Sequence, residues 1–343
     1  MLEVAITLAI LLLLLGAVLW AGGGKTLHEP HGSGIVEAIP GALETAPPPP
    51  EELVVLSYSI AYGLGGPPYD GLPGNAIALY DRLDQIIETI AASGADVVLL
   101  QAVDFASHRT HDVDQLQYIA AALGWGFVAR VITWECRYLP TPVWPPWRQT
   151  GRLRAGQGIL SRYPLVQNTR QRLSQSPAQP LLSPLFAPYR TMQMVDVQCG
   201  GRMVRLLNVH LEPHDVVTRQ RQAEELVAFV RQVATPNCVL MGAFHAVAAT
   251  HGVPAIGQDR TMEIITTGLR DRLRIVADTS PTYPDEAPSA CLDHVLVGPG
   301  LQVVETQVIP LDTPVSDHVP LLVHLRWALP LTPQQRSHNH EHP

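Results

Sequence analysis

Residues 96–103, Asp96-Val97-Val98-Leu99-Leu100-Gln101-Ala102-Val103, decide how this chain is read. The part from Asp96 to Leu100 is a short apolar run, too brief for a helix and suited to a buried strand. Just upstream, between Ile77 and Ala91, Tyr80, Leu83, Ile86, Ile87 and Ile90 recur at three and four, which makes one helix face, and Gly94 closes it. Before that helix, Leu53-Val54-Val55-Leu56 is again strand-like. Downstream, Asp112 is placed to cap a helix carrying Leu116, Ile119, Ala120 and Leu123 up to Gly124. Farther out, Met192–Val197 and Met203–Val209 flank Gly200-Gly201, a hairpin signature. A third helix is predicted over about 217–233, followed by a strand from Cys238 to Met241. Further strands are predicted around Val295, Val303 and Val319 to Leu325. Strands outnumber helices, and hairpins mix with strand–helix units. This predicts sheets packed as a sandwich and covered by helices, rather than a doubly wound parallel sheet.

Composition sets the outer limits. Of 343 residues, 46% are hydrophobic and 16% charged, which excludes a disordered chain and leaves ample material for a core. The net charge of −8 argues against a general nucleic-acid coat protein, which needs surplus cations to displace counterions. Lys25 is the only lysine. Cys136, Cys199, Cys238 and Cys291 lack the spacing of a zinc ribbon, and Cys238 reads as a buried strand residue, which argues against complete disulfide pairing.

The two ends differ from the middle. Residues 1–24 hold an uncharged run from Val4 to Gly24, aliphatic up to Ala21 and just long enough to cross a bilayer core of roughly 30 Å. A cleaved signal would want a basic start, and Glu3 stands there instead, so a membrane anchor with an extracytoplasmic domain is expected; the alternative is secretion after cleavage. Residues 25–52, with Pro47-Pro48-Pro49-Pro50, read as a semi-rigid tether. Residues 53–328 form the folded domain. Residues 329–343, with His338, His340 and His342, read as a disordered polar tail.

Seven segments within the domain carry a resemblance. They are Leu56-Ser57-Tyr58-Ser59-Ile60, Asp96 to Val103, Gly156 to Pro164 (GQGILSRYP), Asn208-Val209-His210-Leu211, Val239 to His245 (VLMGAFH), Leu292-Asp293-His294-Val295, and Val315-Ser316-Asp317-His318. In this order the chain resembles the endonuclease/exonuclease/phosphatase family. The resemblance implies an α/β (α+β) fold, a four-layer sandwich of two mixed β-sheets flanked by helices. It also implies a phosphoester hydrolase that uses Mg²⁺ or Mn²⁺. Such chemistry needs a hard cation held by carboxylates, an activated water, and groups that grip phosphoryl oxygens.

The chain departs from that pattern where the chemistry resides. The Asn of the first motif is Ser59, the metal-binding Glu is Ala102, and the Asp and Asn of the G-D-x-N motif are Ala243 and His245. His210, Asn208, Asp293 and His318 remain as catalytic remnants, Asp317 as a remnant metal ligand, and Gln101 is intact. Losing a metal ligand or a general base lowers rates by roughly 10²–10⁴. The expectation is a fold-keeping protein, inactive or severely impaired, with its cation absent or weakly held, that still binds a phosphate-containing ligand or serves as an interaction module. The alternative is a working phosphodiesterase or phosphatase, acting on a lipid head group or nucleic acid, whose rearranged site uses His245, His210, Asp317 and His318 around a softer ion such as Zn²⁺. Loss confined to these positions fits a decayed enzyme, a fold kept for binding, or deliberate inactivation.

One further segment stands out. Between Glu135 and Asp196 there is no acidic residue, whereas Arg137, Arg148, Arg152, Arg154, Arg162, Arg170, Arg172 and Arg190 fall inside it. Trp144 and Trp147 lie in its proline-rich part, with Trp134 just before. Arg148, Arg190, Trp144 and Trp147 are therefore the residues expected to meet a phosphate head group or an anionic lipid surface. Stacking on single-stranded nucleic acid suits the same residues but is favoured less in a tethered protein. The other reading has the Trp residues packed on the sandwich and the Arg residues paired with acids.

Overall fold

The computed structural model describes residues 2–22, 31–39, 47–48, 50–65, 75–142, 144–176, 186–248, 259–276, 280–311 and 313–328. In chain order, the first elements are α1 (Leu2–Gly22), β1 (His31–Ser33), β2 (Ile35–Ala38), β3 (Glu52–Ser59), α2 (Ala76–Ser93), β4 (Val97–Asp104) and α3 (Gln115–Leu123). Then come β5 (Phe127–Leu139), β6 (Gly151–Ser161), β7 (Leu165–Arg172), β8 (Thr191–Cys199), β9 (Arg202–His210) and α4 (Val216–Val233). The last are β10 (Cys238–Ala243), α5 (Thr261–Leu269), β11 (Arg274–Ile275), β12 (Asp293–Val297), β13 (Leu301–Val308) and β14 (Leu321–Trp327).

The strands form two seven-stranded sheets, ordered β1-β7-β8-β9-β10-β12-β11 and β13-β14-β3-β4-β6-β5-β2. Both are mixed, because β9–β10 and β3–β4 pair in parallel and the other neighbours antiparallel. β4 shows why its sequence is apolar throughout. Val97 and Leu99 pack between the sheets with Val195, Leu206, Val239 and Met241, whereas Val98 and Leu100 pack outward against α2 and α3. A strand covered on both faces has no polar side to alternate with. On the other sheet, Leu207, Val209, Leu240 and Leu296 meet Leu226 and Val230 of α4 and Ile265 of α5. The layers are helices, sheet, sheet, helices.

Local signals account for most boundaries. Asn75 caps α2 by accepting from the Ile77 N–H at 2.9 Å, and Gly94 ends it in the left-handed region at φ 70°. Gly200 and Gly201 both have positive φ, which lets β8 and β9 join through a two-residue turn. The cap of α3 is Asp114 and not Asp112: Asp114 accepts from the Gln117 N–H at 3.1 Å, while Asp112 sits in a left-handed turn and pairs with Arg152 at 2.7 Å. All four cysteines are buried thiols, and burial pushes Cys199 and Cys238 up to about 12.

The stretch read as a tether is partly structured. Within 25–52, β1 pairs with β7 at the edge of one sheet and β2 with β5 at the edge of the other, so the chain stitches both sheets together. Asn168 holds the crossing by donating to the carbonyls of Ile35 and Arg130, each at 2.9 Å. Gly34 sits at that crossing because the Asn168 amide and the Arg130 carbonyl leave no room for a Cβ. Pairing along a free sheet edge outweighs the proline- and glycine-rich composition there. Ahead of it, α1 is long and apolar enough to cross a membrane, as 21 helical residues span about 32 Å. The expected tail, 329–343, lies outside the described residues.

Candidate active site

The carboxyl ends of β3, β4, β9 and β10 meet at one end of the sandwich, together with the segments that lead into β8, β12 and β14. They enclose a cavity of about 310 Å³ lined by Ser59, Tyr62, Ala102, Arg190, His210, His245, Tyr283, Asp317 and His318, among others. Three of these residues have left-handed backbones: Tyr62 (φ 58°), Ala102 (φ 53°) and His245 (φ 51°). Ala102 sits at a bulge, where the β4–β6 register slips between Leu100 and Val103, and this turns its methyl group into the cavity. Non-glycine residues adopt such φ values only where the surrounding structure imposes them, and such sites cluster around function.

The electrostatics are cationic on one side. His318 donates from Nδ1 to Asp293 at 2.7 Å, with both side chains buried. Burial alone would lower His318, but the charge of Asp293 and its hydrogen bond, with Asp317 and Asp285, outweigh it and raise His318 to about 8. His210 is held well below its usual range by burial, Arg190 and His318, so its Nε2 is an acceptor, and Arg190 Nη1 donates to it at 3.1 Å. His245 is likewise depressed by burial and by His210, His318 and two arginines, and its buried Nε2 has no hydrogen-bond partner among the described residues. The three imidazoles form a row, with ring centroids 5.2 Å apart for His210–His245 and 5.4 Å for His245–His318. Near neutral pH the row therefore carries one positive charge, on His318 at one end, while Arg190 adds its own at the His210 end.

This arrangement makes stability pH-dependent in a signed way. A His318 raised from 6.5 to about 8 contributes about 2 kcal/mol, complete below pH 6.5 and lost as pH rises through 8. His210, His245 and His294, all lowered chiefly by burial, act oppositely, and their contribution is lost as pH falls below 6.5. Unfolding free energy from urea melts is expected to peak near pH 6.5 and to decline toward pH 8.5, with His318→Gln flattening the alkaline limb. A stability that still climbs between pH 7 and 8.5 would contradict the His318–Asp293 assignment.

Residues 64–318 match the model of the Endonuclease/Exonuclease/phosphatase family. The chain belongs to that family. Solved structures with the same fold include an endonuclease/exonuclease/phosphatase from Beutenbergia cavernae, 21% identical over 81% of this chain and 72% of that one, TM-score 0.61. The human Nocturnin catalytic domain with bound sulfate is 18% identical over 81% of this chain and 95% of that one, TM-score 0.54. The mannosyl-6-phosphatase of Bacteroides thetaiotaomicron is 17% identical over 80% of this chain and all of that one, TM-score 0.51. No curated protein matches the chain.

The family's divalent cation can be tested against the donors present, and they do not fit it. Asp317 is the only acidic side chain among the described residues that line the cavity. No group of three or more His, Cys, Asp or Glu among the described residues could hold a metal ion. At the β4 bulge, where the resemblance implies a cation-binding glutamate, the chain has Ala102. A single carboxylate beside an imidazolium and a guanidinium is a poor seat for Mg²⁺, which demands near-octahedral oxygen ligation.

The structure brings together Ser59, Ala102, Arg190, His210, His245, Asp317 and His318 around the cavity, with Asp293 behind His318. Ala243 ends β10, buried between His210 and Asp293 on the neighbouring strands. Asn208, expected among the catalytic remnants, does not reach the cavity. It is fully buried, accepting from Gln101 Nε2 at 2.7 Å and donating to the Leu100 carbonyl at 3.0 Å, so it ties one sheet to the other. Trp144, Trp147 and Arg148 are also not cavity residues; they sit in the loop joining β5 and β6. Sequence reading missed Tyr62, Tyr283 and Asp285. Tyr283 packs at a tilt against His318, with ring centroids 5.2 Å apart, and Asp285 lies behind Asp317, donating from its N–H to the Asp317 carbonyl at 3.2 Å. Neither has a local motif, because their partners are more than 30 positions away in sequence.

Proposed function

We propose that this is a membrane-attached member of its family that binds a phosphate-bearing ligand in the cavity and hydrolyses it at background rate or close to it. The observation that carries the reading is the β4 bulge: it delivers a methyl group to the place where a cation-binding carboxylate has to stand. Loss of the Asp at position 243 removes the group that would orient or deprotonate the attacking water. What remains suits an anion. Arg190 and His318 present positive charge, and Arg190, held by Glu212 at 3.6 Å and by His210, is positioned to donate to phosphoryl oxygens. Attachment rests on α1, and the domain then stands on the extracytoplasmic side, or is secreted if the helix is removed as a signal.

The rearranged-site alternative is opposed by the same geometry. Asp293 holds His318 as an imidazolium whose Nε2 carries a proton, and His210 Nε2 receives Arg190, so both are disfavoured as ligands beside His245 and Asp317. Nitrophenol release from bis(4-nitrophenyl) phosphate, with Mg²⁺, Mn²⁺ or Zn²⁺ added, is expected at background. Titration calorimetry with inorganic phosphate is expected to show binding that weakens at least about tenfold in Arg190→Ala, as fits loss of one charge-assisted hydrogen bond. Turnover with any of the three ions, or phosphate affinity indifferent to Arg190, would overturn the reading.

A further inference from the structure

The fold places the membrane helix, the cavity and the tryptophan loop at one end of the domain. In the last turn of α1, Val18 and Ala21 are half-buried and Gly22 is buried, whereas the helix before them is exposed. That turn meets β5: Arg137 Nη1 donates to the Trp20 carbonyl at 3.2 Å, and its guanidinium lies 5.7 Å from the Trp20 ring centroid. The chain re-enters the fold at the same end. His31 of β1 pairs with Gln171, next to Arg172, which pairs with Thr191, the neighbour of the cavity residue Arg190.

The β5–β6 hairpin extends past the cavity at this end. Thr133 stands at cavity level, its carbonyl accepting from the Tyr189 N–H at 2.8 Å. From there the two strands continue to the Leu139–Gly151 pair, six residues or roughly 20 Å farther on. The loop beyond carries Trp144 and Trp147, 73% and 78% exposed, with ring centroids 5.9 Å apart. Two large indoles left open to solvent in this way are costly in water and suited to the polar boundary of a bilayer. Arginines of the acid-free segment are engaged within the chain, as Arg152 is with Asp112, Arg172 with Tyr189 and Arg137 with Trp20, so the indoles carry the surface contact.

We propose that the Trp144–Trp147 loop is seated in the interface of the bilayer that α1 crosses, so that the cavity mouth faces that bilayer across an aqueous gap. The proposal rests on the reading of α1 as a membrane anchor. The occupant is a phospholipid surface, because the anchor itself delivers one to this end of the domain and the segment flanking the indoles carries no acid to repel anionic lipid.

The test uses the full chain reconstituted into nanodiscs of phosphatidylcholine and phosphatidylglycerol, with and without brominated acyl chains. The emission difference between the natural chain and Trp144→Phe/Trp147→Phe isolates the pair, since Trp20 and the other indoles cancel. Most of that difference is expected to be lost in brominated nanodiscs. A chain that integrates into the disc while the difference emission stays unquenched overturns the proposal and leaves the anchor intact. A chain that fails to integrate at all overturns the anchor reading and the proposal together. Burial of the pair against a second copy, seen as a dimer in detergent with no quenching in discs, also overturns it.

Discussion

The variant Ser59→Asn/Ala102→Glu/Ala243→Asp/His245→Asn is expected to hydrolyse bis(4-nitrophenyl) phosphate with Mg²⁺ at least about 10²-fold faster than the natural chain, as fits restoration of a metal ligand and a general base. The backbone is already prepared for it. Ala102 holds its left-handed, bulged conformation without a carboxylate, so a glutamate there inherits the direction into the cavity and the strain already present. His245 also sits at positive φ, where asparagine is among the best tolerated residues, so His245→Asn relieves the backbone. The costly change is Ala243→Asp, because Asp293 lies directly opposite on β12 and like charges in that position repel. Without metal the variant is therefore expected to be less stable than the natural chain, and Mg²⁺ is expected to raise its melting temperature and not that of the parent. Mg²⁺-dependent activity in the natural chain, or a variant whose melting temperature ignores Mg²⁺, would show that the four positions are not the missing cation and water site.

The largest stability effect is expected far from any motif. Asp104, at the end of β4 and wholly buried, accepts from Arg109 Nε at 2.8 Å, from Arg109 Nη2 at 2.9 Å and from Thr110 at 3.1 Å. The Arg109 guanidinium lies 4.1 Å from the ring centroid of Tyr62, a cavity residue, and 4.9 Å from that of Trp134. Arg109→Met leaves an unpaired carboxylate in a dry interior, which costs about 3–5 kcal/mol. For a domain of this size that lowers the melting temperature by roughly 10 °C. Asp104→Asn/Arg109→Met is expected to recover at least half of the loss, because the pair's own net contribution is small once both charges are gone. Calorimetry of the two variants decides it: equal losses would mean that Arg109 acts through packing on Tyr62 and Trp134, not through the charge of Asp104.

Much of the architecture was legible in the chain because it rests on short-range rules. The periodicity from Ile77 to Ala91, Gly94, and the pair Gly200-Gly201 each bias a few adjacent dihedrals, and the structure follows them. The cap of α3 was misplaced by two residues because Asp112 and Asp114 satisfy the same local rule, and the competing ion pair with Arg152 comes from the far end of β6's hairpin. The candidate site was legible only in part. His210, Asp317, His318 and the substituted positions lie in ordered motifs, whereas Tyr62, Tyr283 and Asp285 reach the site from loops with no pattern of their own. Asn208 shows the opposite error: a residue inside a motif looked catalytic and is a cross-sheet tie.

The sequence by itself determined the periodic helices and the apolar core strands, the family that the chain resembles, that an apolar helix precedes the domain, and that Ser59, Ala102, Ala243 and His245 depart from the family motifs. All of these depend on residue identity or on neighbours within a turn or two. Only the tertiary structure decided that Ala102 keeps a left-handed bulge, that His318 alone among three neighbouring imidazoles is raised above neutral, that residues 31–38 supply two edge strands, and that the apolar helix meets β5, whose hairpin carries the exposed indoles. Those outcomes depend on groups separated by tens to hundreds of residues, whose burial, fields and hydrogen bonds exist only after the two sheets have closed on each other.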